Sequence, residues 1–323
     1  MPAFAIPTAT VAAATALSPL VLLILLACPL AWAVLDVLRK MLSVRGGRPT
    51  TLALVLVSAQ WPFLLIYALH QGAFALPRAY VAPLIASLVT NVVAAVAFQR
   101  ALERSPMSAT VPLLALTPAL ATLFGVPLLG EVPDGNQILG VALSVVGALL
   151  LGLSGGAPPA AAAPAAPQTA VAGLRRRLGR LGHEPGAVWM LLVATLWALT
   201  PLIDKIALRH VGPALHLLVL VSAMVLVLAV IVLRRDGVTA VRQTVAGAPL
   251  IVLAAGLVAT CAIVLQLEAI QLVWVGLVET LKRGIGAVSA LLVGRWMYRE
   301  RIGPQRLAAV ALLLIGVMLV LRP

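Results

Sequence analysis

Residues 275–289 read VGLVETLKRGIGAVS, and hold Glu279, Lys282 and Arg283 between long apolar runs. Glu279 precedes the two cations by three and four residues, the spacing that puts all three on one face of a helix. One carboxylate offsets one cation, and the remaining positive charge suits an anionic group. Arginine's planar fork can bind two oxygens of a phosphate or carboxylate at once. A self-neutralising network facing the interior of a helix bundle is the other role open to these residues. Gly284 and Gly286 follow directly and allow close backbone approach or a local break.

The depth of the charges sharpens the question. In a helix starting near Trp274, Lys282 and Arg283 lie roughly 12–13 Å along it. That is close to the midplane of a hydrocarbon slab about 30 Å thick. An ionisable group at that depth costs at least roughly 2.5–3.5 kcal/mol on insertion scales, so its retention points to function.

Other polar residues in apolar surroundings extend the candidate site. Lys205 and Asp204 sit late in one apolar run, Lys40 and Asp36 late in another, and each lysine either reaches a cavity or snorkels to the interface. Asn91 and Gln266 could hydrogen-bond a substrate or tie helices together. Trp197 could stack on a ring or pack in the core. Glu268 and Glu279 are the carboxylates placed to take up a coupling proton. Glu131 and Glu300, at the ends of apolar runs, read as capping or loop-anchoring groups.

Catalysis and metal binding find no support in the pattern. His70, His183, His210 and His216 have no Cys, His or carboxylate neighbour at ligand spacing. There is no P-loop, no convergent nucleophile and base, and no motif for a cofactor. Cys28 and Cys261 both fall in apolar runs, which is no disulfide framework.

The elements that must position the charges are membrane helices. Of 323 residues, 62% are hydrophobic and 10% charged, and the mean hydropathy is +1.11. A soluble domain is nearer a quarter charged, so the chain is an all-α integral membrane protein. Its net charge of +13 sits in short loops beside apolar runs. There it fixes orientation, with no call for nucleic acid as a partner. LLAC at 25–28 and AWA at 31–33 mimic signal-processing boxes, but no Lys or Arg precedes Arg39, so no cleaved leader is expected.

Ten spans are predicted, near 18–38, 51–69, 80–99, 107–129, 136–153, 188–208, 214–233, 248–268, 274–296 and 304–321. They group into a first five-helix repeat over 17–153 and a second over 188–322. A linker over 154–187 joins them, Pro/Ala-rich and then basic. Its basic part is either a short interfacial helix or a solvated charge run.

The halves are copies. WAVLDVLRK at 32–40 matches WALTPLIDK at 197–205; LVLVSA recurs at 54–59 and 218–223, and APLI at 82–85 and 248–251. Glu131 and Gly147 are spaced as Glu300 and Gly316 are. Five spans per repeat turn the second copy upside down. Charge agrees with the inversion. With the linker's Arg175, Arg176, Arg177 and Arg180, seventeen loop Lys and Arg fall on one side; only Arg78, Lys205, Arg209 and Arg322 fall on the other. The positive-inside rule then puts the linker in the cytoplasm and both termini outside.

These features resemble the drug/metabolite transporter superfamily in its EamA-domain branch. The likeness rests on Trp32/Lys40 and Trp197/Lys205 in the first helix of each repeat. It rests also on Glu131 and Glu300 ending the fourth, Gly147 and Gly316 within the fifth, and Pro118 in LTPALATL. That family's second helix usually opens with an Arg, whereas Ser58 and Ser222 stand nearby here, and its members are usually drawn with cytoplasmic termini.

The resemblance implies a secondary transporter of small polar organic metabolites in an inner membrane. Its partners are a small-molecule substrate, the lipid bilayer and, as coupling ion, protons. The LKR of the ninth span also resembles the phosphate-binding pair of plastid phosphate translocators. By that likeness Lys282 and Arg283 would hold a substrate phosphate or carboxylate, with Lys205 reaching the same cavity. A flippase for lipid-linked sugars or polyprenyl phosphates fits a mid-membrane cation pair as well. A non-transporting receptor or assembly factor is the reading from outside transport.

Overall fold

The computed structural model describes residues 18–43, 45, 48–72, 74–105, 110–154, 184–297 and 303–322. Glu300 and linker residues 155–183, with their arginines and His183, lie outside the described residues.

The described chain is helical throughout. The first half runs α1 (Pro19–Ser43), α2 (Pro49–Gln71), α3 (Arg78–Arg104), a 3-10 turn (Val111–Leu116) continuing into α4 (Thr117–Leu129), and α5 (Gly135–Ser154). The second runs α6 (Pro185–Ala207), α7 (Pro213–Arg235), a short α8 (Gly237–Ala246), α9 (Pro249–Leu272), α10 (Val275–Met297) and α11 (Pro304–Val320). Proline opens α2, α6, α7, α9 and α11. At that first position its missing N–H costs nothing and its fixed φ is already helical.

Eight spans, counting the 3-10 turn with α4 as one, are long and apolar enough to cross a bilayer. The two others are the charged α10 and the 17-residue α11. α8 was not among the expected spans: it is a ten-residue helix with no buried residue, between the ends of α7 and α9.

Packing follows the repeat. α5 lies against α11 and α2 against α7, each helix on its own mate; α3 packs on α6 as α9 packs on α1, and α4 on α6 as α10 on α1. Apolar surface gives helices no reason to associate in lipid, so close van der Waals contact at small residues must hold them. The α5–α11 seam shows it. A Cβ on Gly140 would stand 2.7 Å from the Gly316 carbonyl oxygen, and one on Gly147 2.7 Å from the Leu313 amide. The repeat's glycine mates are therefore the residues that let the two halves touch.

Polar ties close the end where α2 begins and α7 stops. Asp236 accepts from Arg48, Thr50 and Thr51. Burial opposes ionisation of this carboxyl, but those hydrogen bonds and the Arg48 charge outweigh it and hold it below the usual aspartate range. Nearby, Arg235 pairs with Glu103 at 2.8 Å.

Candidate substrate-binding site

α10 starts at Val275, so Glu279, Lys282 and Arg283 fall in its second and third turns. Glu279 is buried and accepts a 2.7 Å hydrogen bond from Lys282 Nζ; the two side chains are 2% and 16% exposed. This is the pairing their spacing implies. It leaves Arg283 with no carboxylate in ion-pair range among the described residues. Its guanidinium donates to Thr117 Oγ1 at 3.4 Å, at the junction of the 3-10 turn with α4.

Each cation faces a tryptophan. Lys282 Nζ lies 5.2 Å from the ring centre of Trp32 on α1, and the Arg283 guanidinium 6.0 Å from that of Trp197 on α6. Trp32 and Trp197 are the repeat mates that mark the two first helices. The inverted pseudosymmetry brings them to either side of adjacent residues on α10. Phe98 stacks on Trp197 at 5.6 Å and fixes that ring. Such contacts strengthen when water is excluded. Arg283 Nε and Trp32 Nε1 are buried donors without a protein partner among the described residues, as is Trp274 Nε1; Gln266 Oε1 is a buried acceptor in the same condition.

The charged face of α10 is covered at one end only. A Cβ on Gly276 would run into the Trp274 ring and Thr122 Oγ1, whereas one on Gly286 would meet nothing within 4 Å. The covered end is bolted. Lys205 Nζ donates to Glu131 Oε1 at 2.7 Å and to the Val273 carbonyl at 2.9 Å, and Glu131 Oε2 accepts from the Val275 amide at 2.9 Å. Gly130, in the left-handed conformation at φ 71°, ends α4 and sets Glu131 at this junction. A carboxylate at the first amide of α10 also complements the positive end of that helix.

The remaining candidates are spread around this centre. Lys205 serves the bolt and Asn91 donates to the Ser87 carbonyl at 2.9 Å. Gln266 is buried in α9. Glu268, half-buried one turn from the end of α9, interacts electrostatically with Tyr67 on α2. Asp36 pairs with Arg39 at 3.1 Å.

Trp32 and Thr117 were missed as site residues, although the Trp repeat was a signal for the first. A buried network was missed altogether. Asp204 on α6 accepts from Ser87 Oγ at 2.5 Å and from His216 Nε2 at 3.2 Å, and Tyr80 lies 2.9 Å from His216 Nδ1. Its parts come from α3, α6 and α7, so no local spacing announces it.

Eight helices able to cross a bilayer, with α10 and α11 completing two five-helix halves around a cation pair, describe a multi-pass membrane protein. The family model for EamA-like transporters matches residues 7–153 and again 184–322, and the chain belongs to that family, whose members are transporters. A solved crystal structure of a protein aligns over 93% of this chain and 96% of its own, with a TM-score of 0.72 at 17% identity; the likeness is one of fold. No curated protein matches the sequence.

The ion pair is testable on its own. Glu279→Gln leaves a largely buried ammonium uncompensated and is expected to cost roughly 3–5 kcal/mol. Adding Lys282→Gln should recover part of that loss when unfolding of the purified proteins is compared. Strictly additive losses would contradict the pairing.

Proposed function

We propose that the chain is a secondary carrier of small anionic metabolites, bearing a phosphate or carboxylate, with no catalytic step. The observation that carries this reading is the clamp of two cations between two tryptophans. One carboxylate offsets Lys282, while Arg283 keeps its charge and, with Trp32, offers buried donors to an incoming acceptor. Charge-assisted hydrogen bonds to an anion are about twice as strong as neutral ones and shape-specific for arginine. Trp197 and Trp32 wall the site, Thr117 orients Arg283, and Asn91, Gln266 and Lys205 contribute polar groups at its edges. Glu279 tunes the charge.

Alternating access follows from the inverted halves, 17–153 and 188–322, rocking about this centre, with 154–187 as the joining segment. Opening the covered end requires releasing Lys205 and Glu131 from the α9–α10 junction. We place the chain in the inner membrane with the linker in the cytoplasm and both termini outside. A C-terminal reporter active only outside the cytoplasm is the expected result, and one active only inside reverses the assignment.

The site itself is tested by thermal unfolding of purified protein against a panel of phosphates, carboxylates, amino acids and sugars. A bound ligand at about a hundred times its Kd adds roughly 2.7 kcal/mol of apparent stability. An organic phosphate or carboxylate should stabilise the wild type and fail to stabilise Lys282→Ala or Arg283→Ala. If both variants respond like the wild type, the pair is structural and the anion reading falls.

A further inference from the structure

Glu268 and Glu279 are the sequence's carboxylates for a coupling proton, and the network around His216 supplies a further place. His216 is fully buried and Asp204 is 4% exposed at the side chain. The ring has two oxygen partners, one of them a carboxylate. In the tautomer whose Nε2–H donates to Asp204 Oδ1, Nδ1 accepts the Tyr80 hydroxyl proton. With a neutral ring and an ionised aspartate, the cluster carries one buried negative charge.

The first half of the repeat lacks this cluster. The mate of Asp204 in the first half is Arg39, on the WAVLDVLRK/WALTPLIDK match, and the mate of His216 is Leu52, on the LVLVSA match. Arg39 is instead part of an exposed pair with Asp36, and Leu52 is a plain core residue. A buried carboxylate–imidazole pair therefore appears in one copy only, at a desolvation cost that the other copy avoids.

Resting on the carrier reading above, we propose that the Asp204–His216 pair is the site where the protein takes up its coupling proton. A proton from water bonds to His216 Nδ1, no other bond changes, and the Tyr80 hydroxyl turns from donor to acceptor. The cluster goes from one negative charge to none. Asp204 is followed directly by Lys205, the residue that bolts α6 to Glu131 and the Val273 carbonyl, and Glu131 holds the first amide of α10. The network also runs through Ser87 to Asn91 on α3. Proton occupancy thus acts on the helix whose next residue closes the covered end.

The other titratable groups around the ring are accounted for. On α3 these are Tyr80, in contact, and the exposed Arg78. On α2 they are Tyr67 and His70, and on α9 Glu268. Arg209 and His210 are exposed in the turn from α6, and Arg242 lies on α8 at the opposite end of α7. On α6 Lys205 is taken by Glu131, and on α10 Glu279 is taken by Lys282.

The test uses the full chain in lipid nanodiscs with nitrogen-15 in its histidine rings, titrated from pH 8 to pH 5, the range in which imidazoles change charge. The signal missing from His216→Gln should pass reversibly from one ring N–H to two while the protein stays folded, and Asp204→Asn should abolish that passage. A second readout is stabilisation by sulfate, whose charge is constant over this range. One linked proton changes apparent affinity by up to tenfold per pH unit in the wild type and not in His216→Gln. A His216 ring that keeps one N–H at every pH overturns the proposal, whatever the anions do. So does an equal pH dependence of sulfate binding in His216→Gln. Absence of any anion response in either protein counts against the anion site alone, and the ring titration still decides the proton site.

Discussion

Two adjacent cations in the middle of a membrane helix, with one carboxylate beside them, set the terms for the rest of this structure. Both side chains lie against neighbouring helices, which supply partners beyond Glu279. Glu279 pairs with Lys282 within one turn. Aromatic faces from α1 and α6 meet both cations, and Thr117 meets Arg283. A low dielectric makes each of these contacts stronger than it would be in water, and makes an unpaired donor correspondingly costly. Arg283 Nε and Trp32 Nε1 are such donors.

The fold meets this demand by symmetry and then departs from it. Two copies of one five-helix unit place Trp32 and Trp197 on equivalent helices, and inversion turns both towards α10. Small residues on α5 and α11 allow the halves to meet closely enough for that convergence. Only the second half adds Asp204 and His216, and only one end of the charged face is covered, by Trp274, Thr122 and the Lys205–Glu131 bolt. A cation pair flanked by symmetric parts is thus surrounded by asymmetric ones.

Much of this was legible in the sequence because the bilayer writes a strong code. Long apolar runs marked ten spans, of which eight are long and apolar enough to cross in the structure, matched motifs exposed the repeat, and the expected depth of Lys282 and Arg283 singled them out. Glu131 was correctly read as an anchoring group, although Lys205 and Val275 as its partners could not be inferred from spacing. α8 escaped because ten residues with Val238, Val241 and Val245 on a polar background resemble a loop. The Asp204–His216 contact escaped for another reason. Twelve residues and a turn separate its members; Asp204 stands out only beside Lys205, and His216 looks unremarkable on its own helix. Trp32 was visible as a repeat marker, but its place beside Lys282 depends on how α1 and α10 cross.

The central claim is that an anion binds between the two tryptophans at Lys282 and Arg283. Intrinsic tryptophan emission, titrated with organic phosphates and carboxylates, reports on that place directly. The account predicts a saturable change in emission that disappears in a Trp32→Phe/Trp197→Phe protein and in Arg283→Ala. No change with any anion, or the same change in Arg283→Ala as in the wild type, would contradict it.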